Sequence, residues 1–172
     1  MDSLQQYVNK KYAMATLEKA ISIALEAHEG FLDKSSAPYI LHPLRIMLQM
    51  DTQEEMIVAV LHDVIEDSDY SIAMLKEIGF SDEVIEALES VTRKAEEPYE
   101  EYILRAGSNE LGRKVKRADL MDNLTISRIK KLTNRDLERI QKYHQALEIL
   151  KDTHSPKKSG KQGPYTLFLG EI

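Results

Sequence analysis

Apolar residues recur along this chain at helical spacing with few interruptions. Leu17, Ala20, Ile21, Ala24 and Leu25 share one face of a helix predicted over roughly residues 10–29. The segment GFLDKSSAPYI that follows is rich in Gly, Ser and Pro and reads as a loop. A short helix is predicted after it, with Pro43 in the first turn, where a missing N–H goes unnoticed, and with Leu44, Ile46, Met47 and Leu48 leaning inward. Asp51 or Thr52 caps the next helix, Glu55 lies in its first turn, and its apolar run extends from Met56 to about Ile65. Further helices are predicted from Asp69 or Ser71 to Gly79 and from Ser81 to about Arg93. Three more follow: over residues 98–106, from Asn109 through Ile129, and from Thr133 or Asn134 to about Lys151.

After that the character changes. DTHSPKKSGKQGPYTLFLGEI is rich in Lys, Gly, Ser and Pro and then briefly apolar. It reads as a tail over residues 153–172, flexible or docked through Tyr165 to Leu169. No segment alternates as a strand does. The expectation is a single compact all-α domain over residues 1–152, and a composition rich in strong helix formers agrees.

Composition narrows the function. The chain of 172 residues has no Cys, which excludes disulfides, thiolate nucleophiles and Cys-ligated metals. A formal net charge of −6 argues against a general nucleic-acid binder. No apolar run reaches membrane-spanning length, and the first residues lack a signal-peptide layout. A soluble, cytoplasmic protein is expected, with no membrane or nucleic-acid partner and with homo-oligomerisation left open.

The polar residues within apolar stretches carry the chemistry. VLHDVIEDS sets His62, Asp63, Glu66 and Asp67 among apolar neighbours. If residues 54–67 are helical, these four form one patch at a helix C-terminus, where the helix dipole is unfavourable to carboxylates. A divalent cation, basic side chains or solvent would have to compensate. PYILHP places His42 in an apolar context at a helix start, and VKRADLMDNL places Asp119 and Asn123 one turn apart in mid-helix, where both residue types are poor. Taken singly, each has an ordinary explanation: a solvated helix end, a packed histidine, a buried hydrogen-bonded pair. Together, His42, His62, Asp63 and Asp119 make a mixed N/O donor set from three helices, suited to Mn, Fe, Co, Ni or Zn. A cation held so can polarise a phosphoryl oxygen and acidify a water, with Glu66 and Asp67 left to orient that water or handle its proton.

The order AHEG, DKSSAPYILHP, AVLHDVIEDS, VTRK, VKRADLMDN resembles the HD-domain metal phosphohydrolases, and within them the alarmone hydrolase domain of RelA/SpoT-type proteins and the free-standing small alarmone hydrolases. The likeness runs over roughly residues 20–150, and its most specific block is HDVIED. It implies an all-α HD-domain fold and Mn²⁺-dependent removal of pyrophosphate from the 3′ position of (p)ppGpp, a small nucleotide, giving GDP or GTP. It also implies metal ligation by His42, His62, Asp63 and Asp119, a catalytic pair Glu66 and Asp67, and substrate contacts from Lys34, Asn123 and Tyr143.

The sequence departs from the family's pattern at Asp33, where an arginine commonly packs on the base, at Asp122, where a histidine or similar residue is usual, and at Arg117, which replaces an apolar residue. A carboxylate cannot stack as a guanidinium does, so (p)ppApp or the 2′-phosphate of NADPH stays open as substrate. A nucleotide-sensing module without catalysis is the alternative of another class. Arg93, Lys94, Lys114 and Lys116 are candidates for a basic rim, His28 reads as structural or pocket-lining, and Tyr99 and Tyr102 read as packing.

Overall fold

The computed structural model describes residues 14–129 and 131–152; the tail at 153–172 and the predicted helical residues 10–13 lie outside them. The helices run in the order α1 Leu17–Ala27, α2 Leu41–Met47, α3 Gln53–Leu61, α4 Val64–Asp67, α5 Ile72–Ile78, α6 Asp82–Val91, α7 Tyr99–Ser108, α8 Glu110–Asn123 and α9 Asn134–Asp152. Among the described residues the extended contacts amount to one isolated bridge, Leu32 with Pro38, so the fold is all-α.

Local chemistry sets the starts. The Thr16, Ser71, Ser81 and Asn109 side chains accept from the amides of Lys19, Met74, Val84 and Gly112, satisfying donors that a helix leaves unpaired. Thr52 and Glu55 form a reciprocal capping box. Gly79 ends α5 with φ 103°, a left-handed conformation that a side chain would resist.

Helix α3 is the centre. Ile57, Val58, Ala59, Val60 and Leu61 are all buried in succession, so the C-terminal half of the helix is enclosed on every side. Helices α1, α2, α6 and α8 pack around it. A second apolar cluster joins α7, α8 and α9 through Tyr102, Ile103, Leu120, Ala146, Leu147 and Leu150. Helix α8 thus belongs to both clusters. It approaches α6 so closely that a Cβ on Gly112 would lie 2.0 Å from Ser90 Oγ.

Four boundaries differ from expectation. Helix α1 begins only at Leu17, after its Thr16 cap. Leu48, expected to lean inward, is 76% exposed, because α2 ends at Met47 before another turn can bring it round. The segment 54–67 breaks at His62–Asp63 into α3 and α4, with Asp63 at φ −100°, ψ −8°. Helix α8 stops at Asn123, and the chain continues in a 3₁₀ turn, Ile126–Arg128, rather than as helix to Ile129. None of the helices of the described residues is long and apolar enough to cross a membrane.

Candidate active site

The break after α3 explains how polar residues can sit in the middle of the core. It turns His62 into the interior and lets Asp63 follow it, opposite α2 and α8. His42 enters from the first turn of α2 and Asp119 from α8. His42, His62 and Asp119 are all buried.

Their donor atoms converge. His62 Nε2 lies 3.0 Å from Asp63 Oδ2 and 3.8 Å from Asp119 Oδ1. His42 Nε2 lies 3.2 Å from Asp119 Oδ1 and 3.8 Å from Asp63 Oδ2. The donor atoms of His42, His62 and Asp119 all fall within 4.8 Å of one another. Ligands at about 2 Å from a shared cation are separated by distances of this size. The second imidazole nitrogens are engaged elsewhere. His62 Nδ1 is 2.8 Å from the Ala59 carbonyl oxygen, and His42 Nδ1 is 2.7 Å from Asp122 Oδ2. Both contacts favour a proton on Nδ1 and a lone pair on Nε2. Among the described residues His62 Nε2 is buried with no hydrogen-bond partner. An orphaned nitrogen facing two carboxylates is the environment a divalent cation completes, and the donor set fits one.

Charge within the cluster is tightly coupled. Burial disfavours charged imidazoles, but Asp119 and Asp122 outweigh it and raise the His42 pKa; Asp63 and Asp119 raise that of His62 well above its ordinary value. Asp63 is likewise penalised by burial, yet His62 draws its pKa down to about 2. Asp119 is held well below the carboxylate range by Lys116, His42 and His62 against burial. Lys116 Nζ lies 2.7 Å from Asp119 Oδ2, and Asn123 Nδ2 donates to Asp119 Oδ1 at 2.6 Å. The Tyr39 hydroxyl donates to Asp63 Oδ2.

The acidic pair lies beside this cluster on α4. Glu66 Oε1 accepts from the Arg93 amide at 2.7 Å. Its pKa is raised, chiefly by burial of the carboxyl and further by the charges of Asp63 and Asp67, against the Arg93 amide and Lys116. Asp67 Oδ2 is 3.5 Å from Nε2 of buried His28, so His28 backs the acidic pair.

A cavity of about 240 Å³ opens next to His42, lined by Lys34, Arg45, Asp122, Asn123, Arg128 and Arg139 among others. A neighbouring hollow of about 360 Å³ shares Lys34 and Arg139 and adds Tyr143. Lys34 is exposed and makes no ion pair among the described residues. Asp33 turns its carboxylate into its own loop, where Oδ1 accepts from Ser35 N at 2.8 Å, Ser35 Oγ at 2.6 Å and Ala37 N at 3.0 Å.

Of the nine residues singled out for the site, His42, His62, Asp63 and Asp119 converge, and Glu66 and Asp67 follow Asp63 on α4. Lys34 and Asn123 line the adjoining cavity, Tyr143 lines the neighbouring hollow, and Asn123 also braces Asp119. The basic rim does not form as a unit. Lys114 pairs with Asp51 and Glu55, Lys94 lines a different hollow with Glu86 and Glu89, and Lys116 is drawn inward to Asp119. Arg117 is exposed and lines another hollow with Glu54 and Glu83. Tyr99 and Tyr102 pack edge to face, with ring centroids 6.1 Å apart. Sequence reasoning missed Tyr39 and Arg45, and treated Asp122 only as a departure. The signal for Asp122 was its position three residues after Asp119, on the turn that faces α2.

No family model matches the chain. Similarity to individual proteins is clearer. The chain is 32% identical over 120 residues to an Aquifex aeolicus protein named guanosine-3′,5′-bis(diphosphate) 3′-pyrophosphohydrolase, covering 63% of this chain and 17% of that protein. It is 41% identical over 76 residues to a Haemophilus influenzae protein of the same name, covering 41% and 11%. The chain resembles the RelA/SpoT-type hydrolases. It spans less than a fifth of the length of these curated relatives. A solved structure, described as a metazoan orthologue of SpoT that hydrolyses ppGpp and plays a role in starvation responses, superposes with a TM-score of 0.66 at 22% identity. That superposition covers 81% of this chain and 85% of the other, and shows that the two share a fold.

Proposed function

We propose that this chain is a metal-dependent phosphohydrolase that removes pyrophosphate from the 3′ position of (p)ppGpp-type nucleotides, giving GDP or GTP. The observation that carries the reading is the juxtaposition of four convergent N/O donors, an acidic pair and a cationic cavity. RelA/SpoT-type relatives named as 3′-pyrophosphohydrolases supply the substrate class.

In this reading His42, His62, Asp63 and Asp119 hold the cation, for which we propose Mn²⁺; the same donors suit other divalent metals. When bound, the cation would supply Lewis-acid charge at the phosphoryl oxygens. The protein's own groups do the rest. Glu66 and Asp67 orient the attacking water, and Glu66, with its raised pKa, is suited to take its proton. A bond forms from the water oxygen to phosphorus, the bond from phosphorus to the 3′ oxygen breaks, and a proton ends on that oxygen. Lys34 meets the phosphates, Asn123 holds Asp119 while facing the nucleotide, and Tyr143 borders the substrate.

One observation favours a second substrate. Asp33 is occupied by its loop and offers the base no stacking surface, so the same chemistry on (p)ppApp or on the NADPH 2′-phosphate is the second reading. The proposal further takes residues 1–152 as the catalytic unit, working in the cytoplasm on a small nucleotide, without nucleic acid or membrane. Asp63→Ala is expected to abolish both metal retention and turnover; full activity in that variant would sink the mechanism.

A further inference from the structure

Asp122 is held by two guanidinium groups as well as by His42. Its Oδ2 lies 2.7 Å from His42 Nδ1. Arg45 Nε donates to Oδ1 at 2.9 Å and Arg45 Nη2 to Oδ2 at 3.0 Å. Arg128 Nη2 is 3.0 Å from Oδ2, and Arg128 also donates to the Asp122 backbone carbonyl. The side chain is only 9% exposed. Both arginines line the 240 Å³ cavity. A pocket that needed only to attract phosphate would leave its guanidinium groups free. Here two of them grip an internal carboxylate whose remaining contact is a candidate metal ligand.

We infer that Asp122 is a positioning residue for His42, fixing the tautomer and ring orientation that turn Nε2 toward a divalent cation, while Arg45 and Arg128 hold the carboxylate still. The inference rests on the reading of His42, His62, Asp63 and Asp119 as metal ligands. An imidazole can present either nitrogen, and the partner of one decides the role of the other. A carboxylate is a stronger acceptor than a carbonyl, so it also makes the opposite nitrogen a better donor. The two histidines are thus set by unlike acceptors: His62 by the neutral carbonyl of Ala59, His42 by a charge. It follows that Arg45 and Arg128 are largely committed. Arg139, which pairs with Asp136 at 3.0 Å, is engaged too, so that among the described residues lining the cavity Lys34 is the cation without an ion pair, left for a ligand phosphate.

The test is Mn²⁺ binding to the chelator-treated full chain, by calorimetry, in wild type, Asp122→Asn and Asp122→Leu, with circular dichroism to establish folding. Asparagine keeps an acceptor and removes the charge; leucine removes both. The expected result is Mn²⁺ affinity about 10- to 100-fold weaker in Asp122→Asn and weaker again in Asp122→Leu. A second readout is a downfield His42 Nδ1–H proton resonance in the Zn²⁺-loaded wild type that is lost in Asp122→Leu. Should the leucine variant not fold, the asparagine variant decides. Equal Mn²⁺ affinity in wild type and a folded Asp122→Asn overturns the positioning role and leaves the metal site standing. A wild type that takes up no divalent metal overturns both.

Discussion

His62 Nδ1 lies 2.8 Å from the carbonyl oxygen of Ala59, one turn back along α3, and this contact aims His62 Nε2 at Asp63 and Asp119. The nitrogen so aimed is buried and has no hydrogen-bond partner among the described residues. A cation that fills the gap binds the folded chain and not the unfolded one, so it must stabilise the fold. Mn²⁺ at a hundred times its dissociation constant is expected to add about 2.7 kcal/mol. A thermal melt with and without Mn²⁺ reads the shift, and His62→Ala is expected to remove it. An equal shift in the variant would place the metal elsewhere.

Glu66 sets activity against stability. Its pKa is raised by burial and by Asp63 and Asp67, so the metal-free fold favours the neutral acid. That stabilisation is complete below the ordinary carboxylate pKa and is lost as pH rises through the raised value. Glu66→Gln is therefore expected to raise the melting temperature of the metal-free protein at pH 7, with no gain below about pH 4. Turnover should fall by about 100-fold or more. A pH series of melts beside steady-state kinetics checks both. A variant less stable at pH 7 would mean that the Arg93 amide bond outweighs the charge effect.

Glu97 anchors the loop that presents the Arg93 amide to Glu66. Arg105 donates to its two oxygens at 2.8 and 2.7 Å, and the Arg93 guanidinium donates to its backbone carbonyl at 2.9 Å. Arg105 pulls the Glu97 pKa down to about 2. A depressed pKa gives stability that is present above the unfolded value and lost as pH falls through the folded one. Glu97→Gln should cost about 1 kcal/mol at pH 7, after discounting for solvent screening. The gap from wild type should close between about pH 4 and pH 2 in a denaturation series. A pH-independent gap would show that shape, not charge, holds the loop.

Asp33 is predicted to act through its loop rather than on the base. Removing its three internal hydrogen bonds in Asp33→Ala loosens the segment that carries Lys34. The expected effect is a KM raised about tenfold with kcat little changed, since the loop contributes binding rather than reacting groups. Equal turnover on guanine and adenine alarmones in wild type, altered selectively by Asp33→Ala, would instead give Asp33 a direct part in base choice.

Most of the fold was legible because several helices announce themselves twice, by apolar period and by cap. Thr52 with Glu55, Ser71, Ser81 and Asn109 mark starts that the structure keeps. The break at His62–Asp63 was not legible. The run EEMIVAVLHDVIED keeps a helical rhythm through it and contains neither Gly nor Pro. The end of α8 was hidden for the same reason, and there the tertiary grip of Arg128 on Asp122 accompanies the turn away from the helix. The donor residues stood out because polar groups in apolar runs are conspicuous. Asp122 did not, since its role depends on a histidine 80 positions away, nor did Arg45, whose partner Asp122 lies 77 positions away.

The most direct test of the central claim is incubation of the purified chain with ppGpp, ppApp and NADPH in parallel, with and without Mn²⁺, resolved by anion-exchange chromatography. The account predicts Mn²⁺-dependent release of pyrophosphate and GDP from ppGpp. Turnover of ppApp or NADPH alone would keep the metal site and reassign the pocket. No turnover of any of the three with Mn²⁺ bound would contradict the account.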